Sequence, residues 1–170
     1  KRRGSLTYIK NTVEEYLSYQ PEPYELLIDS QTIKEKAFLV ACGNASQYGN
    51  NAFIAPHANI QDGKMDITIL SPFGPLDIAP LAIQLFTKQI DRNSKIKTFK
   101  GKEVTIIRQN PGVMHLDGEP IMADSRIEIS VLPKSLNVLT PETVSFTEEV
   151  QNLFGEVTRF FDKKLPYIFR

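Results

Sequence analysis

Residues 95–132 read KIKTFKGKEVTIIRQNPGVMHLDGEPIMADSRIEISVL. Four short runs, KIKTF, EVTIIRQ, VMHLD and RIEISVL, are separated by a Gly, an Asn-Pro-Gly and an Asp-Gly. Runs of this length bounded by turn residues read as strands. Asp-Gly is the preferred dipeptide of a type I′ hairpin turn. Working outward, SLNVLT after Pro133 reads as one more strand. Upstream, KMDITIL alternates, with Met65, Ile67 and Ile69 on one face and Asp66 and Thr68 on the other. YELLID and KAFLVACG read as strands joined by a polar stretch around Ser30 to Lys34, and NAFIAP as a short strand closed by Pro56. NASQYGNN has loop composition. The total is about eight short strands with frequent turns, which predicts a mainly β chain built as a β-sandwich or open barrel. Strands and helices do not alternate as a doubly wound sheet requires.

Two helices interrupt or flank the strands, and a third follows them. Ser5 can cap the first, where Leu6, Ile9, Val13, Tyr16 and Leu17 fall at helical spacing. The second runs from Leu76 to Ile90, dense enough in apolar residues to predict a largely buried helix. The third is amphipathic: Ser145 and Glu148 form a capping box, and Phe146, Val150, Leu153, Phe154, Val157, Phe160, Phe161 and Leu165 make its stripe. That stripe predicts docking on the domain or across a homodimer. The alternative is a membrane-surface helix, kept open by the tail KKLPYIFR. The domain organisation expected is a β-lobe over residues 1–141 and a helical extension over 142–170.

The chain has 170 residues, long enough for one domain with a real core. Lys plus Arg is 20 and Asp plus Glu is 20, so no net field draws in nucleic acid. No apolar run approaches the roughly 18 residues of a spanning helix. No signal peptide is visible, and a cytoplasmic location is expected. The single Cys42 lies in AFLVACG and reads as an inert buried thiol. There is no G-x-x-x-x-G-K-[ST] loop and no G-x-G-x-x-G. No G-x-S-x-G elbow is present. His57 and His115 lack a neighbouring soft ligand at metal-binding spacing. Any chemistry must therefore rest on carboxylates. Two Asp-Gly pairs supply them, Asp62-Gly63 and Asp117-Gly118, and either could be a plain turn. Glu119 is less ordinary, standing two residues from Asp117 and just before Pro120. Carboxylates that close repel unless a cation or hydrogen bonds intervene.

GNASQYGNNAFIAPHANIQDGKMDITIL, then VMHLDGEP, then RIEISVLPKSLNVLTP, resemble the C-terminal domain of the diacylglycerol kinase and sphingosine kinase superfamily, closest to its bacterial diacylglycerol kinase-like branch. The likeness runs from about Gly4 to Pro141. D-G-x-x-D together with D-G-E carries it. The resemblance implies a two-lobed, ATP- and Mg²⁺-dependent lipid kinase whose other lobe holds a G-G-D-G-T nucleotide motif. That motif is absent from this chain, so the chain alone is expected to be inactive, with ATP bound mainly by the other lobe. It further implies Glu119 as the general base on the lipid hydroxyl. Asp117 would be an acid reaching magnesium through water. Asp62 would join a magnesium-linked network, with Asn59 and Lys64 offering backbone oxygens. Asn44 and Tyr48 would line the substrate cleft. Gly49-Asn50-Asn51 departs from the consecutive glycines of many members, which bears on the shape of the lipid entrance. The lipid alcohol would be met at a membrane surface by a peripheral protein. Which lipid is the acceptor is not encoded in the ordinary apolar side chains. The reading from another class is a non-catalytic β-sandwich that binds a lipid or a protein partner.

Overall fold

A computed structural model describes residues 19–139. The chain divides after Lys134 into two units, and every strand among the described residues belongs to the first. The predicted first and third helices lie outside the described residues.

Among the described residues nine strands form, one more than the sequence suggests: β1 Glu22–Ile28, β2 Gln31–Ala37, β3 Leu39–Gly43, β4 Met65–Leu70, β5 Ile96–Gly101, β6 Glu103–Arg108, β7 Gly112–Leu116, β8 Glu119–Ala123 and β9 Arg126–Ser130. They make an antiparallel sheet in the order β2-β1-β6-β9, a second in the order β3-β4-β5, and the hairpin β7-β8. Leu26, Ile28, Ile33, Ala37, Val104 and Ile106 of the first sheet close on Ile67 and Ile69 of the second. All eight are buried, so the expected sandwich-like arrangement is what the chain adopts.

The differences from the sequence reading have local causes. KAFLVACG is not one strand. It breaks at Phe38, whose ring meets Tyr19 and Phe73 edge-on at 4.8 Å each, and whose N–H donates to the Leu70 carbonyl at 2.7 Å. The chain crosses there from the first sheet to the second. The polar stretch before it is itself strand, because Gln31 to Lys34 pair with Ile28 to Glu25. NAFIAP is not a strand either: only an isolated bridge, Gly49 to Ala52, forms there. Asn50 and Asn51 both take positive φ, 47° and 62°, a geometry that turns the chain back at once. Residues 135–139 of SLNVLT form no strand.

The second helix is shorter and far less buried than its composition predicts. One α-helix is found among the described residues, α1 Ile78–Phe86, entered through a single 3₁₀ turn, Pro75–Asp77. Only Leu81 is buried, against Ile90 and Ile96 with Leu70, Phe73 and Leu85 around them. Ile83 and Phe86 remain more than half exposed, and Leu76 almost fully. The helix rests on the sandwich along one narrow line, so apolar density alone overstates its burial.

Candidate functional site: two acidic turns on one sandwich

The first acidic turn is built against β4. That strand is buried on both faces, since Asp66 and Thr68 are as enclosed as Ile67 and Ile69. The cover over its polar face is the segment holding buried Phe53 and Ala55. Thr68 Oγ1 donates to the Ile54 carbonyl at 2.8 Å, and Phe53 N–H donates to the Leu85 carbonyl of α1 at 2.9 Å. The chain then turns through Asn59–Lys64 before entering β4. Asp62 N–H donates to the Asn59 carbonyl at 3.2 Å, and Asp62 Oδ1 accepts from Lys64 N–H at 2.9 Å. Gly63 follows with φ +65°, which glycine adopts without steric cost.

Opposite Asp66 in register stands Lys100 of β5. Its ammonium reaches the His57 carbonyl at 3.0 Å and Asp62 Oδ2 at 3.2 Å. It also lies 3.2 Å from Asp66 Oδ2, an ion pair not aligned as a hydrogen bond. The hydrogen bond from Lys64 N–H holds the Asp62 carboxyl below its ordinary range; partial desolvation opposes it, and the contact with Lys100 adds to the lowering. Desolvation alone would lower Lys100. The attraction of Asp66 and Asp62 outweighs it and raises the ammonium instead. A pocket of about 200 Å³ opens beside this cluster, lined by Asp66, Thr68, Lys100, His57 and Asp91 among others. His57 Nε2 sits 3.2 Å from Asp91 Oδ2 at its rim.

The second acidic turn is the β7–β8 hairpin. Leu116 pairs with Glu119, leaving Asp117 and Gly118 as a two-residue loop with φ +49° and +90°. That is the type I′ geometry the Asp-Gly pair favours. Both Asp117 and Glu119 are exposed. The hairpin buries none of its own residues. Arg108 at the end of β6 holds its open end instead. Nη2 donates to the Gly112 and Ala123 carbonyls at 2.7 Å each, and Nε to the Asp124 carbonyl at 3.2 Å.

Asn59, Asp62 and Lys64 thus share one turn, and Asp117 and Glu119 share another. Among the described residues no hydrogen bond or ion pair joins the two turns. Asn44 and Tyr48 are exposed in the loop after β3, where Tyr48 N–H donates to the Ala52 carbonyl at 2.8 Å. Neither side chain contacts either acidic turn through a hydrogen bond. Cys42 is half-buried rather than fully buried, and burial pushes its thiol up to about 12. Motif and periodicity alone give no role to Lys100, Asp66 or Arg108. Asp66 was within reach, being the last residue of D-G-x-x-D and the first polar residue of an alternating strand. Lys100 and Arg108 depend on strand register and on a hairpin's placement, which no local pattern reports.

Magnesium at the Asp62 turn can be tested against these atoms. Among the described residues no three His, Cys, Asp or Glu side chains converge to hold a metal. Asp62 is the one carboxylate of its turn, and Lys64 N–H and the Lys100 ammonium engage both of its oxygens. The Asn59 carbonyl already accepts from Asp62 N–H. With Lys100 in place, this donor set does not fit a magnesium ion seated on the Asp62 carboxylate.

Residues 1–140 match the family described as the YegS C-terminal NAD kinase beta sandwich-like domain. The chain belongs to that family. It is the C-terminal domain found in diacylglycerol kinase-like lipid kinases. The chain is 28% identical over 143 residues to the diacylglycerol kinase of Mycobacterium tuberculosis (strain ATCC 25618 / H37Rv), covering 81% of this chain and 44% of that protein. It is 28% identical over 125 residues to a protein of Shewanella frigidimarina named "Probable lipid kinase YegS-like", covering 74% and 40%. The crystal structure of a diacylglycerol kinase from Bacillus anthracis str. Sterne superposes with a TM-score of 0.58 at 22% identity, over 76% of this chain and 44% of that one. That last likeness concerns the fold. The chain spans less than half the length of the curated relatives it matches. Among the described residues, no helix is long and apolar enough to cross a membrane.

Proposed function

We propose that this YegS-type lobe carries the acceptor side of a lipid kinase that moves the γ-phosphoryl group of ATP to the hydroxyl of a diacylglycerol-like lipid. The observation that carries the reading is the Asp-Gly-Glu turn: an exposed carboxylate at the first residue of β8, on a hairpin anchored by a single guanidinium. Phosphoryl transfer asks for alignment and charge neutralisation more than for a strong nucleophile. Glu119 takes the proton of the lipid hydroxyl as its oxygen bonds to the γ-phosphorus and the bond to the β-phosphate bridging oxygen breaks, releasing ADP. Asp117, exposed at the turn, would reach magnesium through a water. ATP would be held mainly by the other lobe, and magnesium bound with it would neutralise phosphate charge. Asn44 and Tyr48, exposed on the loop after β3, contact the acceptor. Because that acceptor resides in a bilayer, the protein meets membranes transiently at their surface.

Glu119→Gln in the full-length protein tests this. The side chain is exposed, so the fold should be unchanged. Lipid phosphorylation should fall by about 10²-fold or more in kcat, as loss of a general base does. Wild-type turnover in that variant would leave the hairpin as a plain turn and favour a lobe that binds lipid without catalysing.

A further inference from the structure

The mismatch between the Asp62 turn and a metal ion has its own explanation in Lys100. Three oxygens surround its ammonium at 3.0 to 3.2 Å, and each comes from a different part of the chain. The His57 carbonyl belongs to the segment covering β4, Asp62 to the turn, and Asp66 to β4 itself. Lys100 reaches them from β5, where register fixes it opposite Asp66. Asp66 is buried, only 8% exposed. A buried carboxylate without a cation would be costly, and two acids facing one point would repel.

We propose that Lys100 is a built-in counter-ion at the Asp62 turn, standing in place of a divalent cation. It bridges Asp62 and Asp66 and pins the covering segment through the His57 carbonyl. The local geometry therefore needs no metal. The inference rests on the Asp62 turn being a cation locus and does not require Glu119 to be a base. Failure of one therefore leaves the other standing.

The ammonium position also makes the idea testable by a gain. Asp62 Oδ2 and Asp66 Oδ2 lie 3.2 Å from the same point. Oxygen ligands approach Mg²⁺ at about 2.1 Å and Ca²⁺ at about 2.3–2.6 Å. Small side-chain shifts would close that gap once the ammonium is removed. The experiment measures binding of Mn²⁺, Mg²⁺ and Ca²⁺ to the nucleotide-free full-length protein by calorimetry, with Mn²⁺ paramagnetic resonance as a second readout. Lys100→Met should bind a divalent ion at least tenfold more tightly than wild type, and its melting temperature should rise on adding that ion. Lys100→Met with Asp62→Asn should lose the gain. Lys100→Arg, keeping the charge, should behave as wild type. Asp62→Asn in the Lys100 background should leave divalent binding unchanged, which stays measurable if Lys100→Met folds poorly. A folded Lys100→Met protein with no new divalent site would overturn the proposal. So would a wild-type divalent site that Asp62→Asn abolishes.

Discussion

Arg108→Met should loosen one hairpin while leaving the sandwich nearly intact. The guanidinium makes three bonds to main-chain carbonyls at the hairpin's open end: two at 2.7 Å, partly buried, and one exposed at 3.2 Å. Hydrogen bonds to a charged group contribute about 1.5–3 kcal/mol each. Counting only the two short ones gives roughly 3–6 kcal/mol. The energy should appear locally, because β7 and β8 contribute no buried residue to the core. A two-stranded hairpin without such support is marginal in water. Amide hydrogen exchange read residue by residue is the suitable assay. At about 1.4 kcal/mol per tenfold, amides of residues 113–123 should exchange roughly 100- to 20,000-fold faster. Those of β1, β4 and β6 should hold their rates. On the proposed kinase reading, kcat of the full-length protein should fall while its KM for ATP stays put. Arg108→Lys should recover part of the protection, since one ammonium cannot span the same three carbonyls. If the hairpin amides stay protected while the whole domain melts earlier, Arg108 is an ordinary strut of the sandwich and the reasoning fails.

Gly101→Ala should destabilise by about 1–3 kcal/mol, the range for overpacking. Its Cβ would stand 2.5 Å from Ile28 Cγ2 and 3.3 Å from Asp29 Oδ2, and Ile28 is core; denaturant melts check it. Asp29 should give the fold part of its acid sensitivity. The main-chain N–H groups of Glu103 and Lys102 bond its carboxylate and depress its pKa. A depressed folded pKa gives stability that is present above the unfolded value, about 4, and lost as pH falls through the folded value. Asp29→Asn should therefore flatten the decline of melting temperature below about pH 4, and an unchanged acid limb would rule the residue out.

What was legible in the sequence was what period and turn chemistry encode. The alternation of KMDITIL placed Ile67 and Ile69 on the core face and Asp66 and Thr68 on the other, as the strand has them. Asp117-Gly118 announced its turn because few other dipeptides accept positive φ twice. Phe38 marked no break, because the reason for the break is tertiary: a ring sandwiched between Tyr19 and Phe73. Helix α1 misled in the opposite direction. Its residues are apolar nearly all round, and composition cannot say that only the Leu81 line meets the sandwich.

The candidate site divides along the same boundary. Each acidic turn was readable because Asp-Gly is a local signal, but the residue that restrains each turn is not local to it. Asp62 is held by a lysine 38 positions away, and the open end of the Asp117–Glu119 hairpin by an arginine that precedes it on another strand. Both restraints are cations gripping oxygens, and both come from strands of the two main sheets, β5 and β6. A motif can therefore name the acids of such a lobe while its rigidity depends on basic residues outside the motif. Charge at Lys100 and Arg108 should then control how firmly the acidic turns are held, and substitutions there should act on geometry before they act on chemistry.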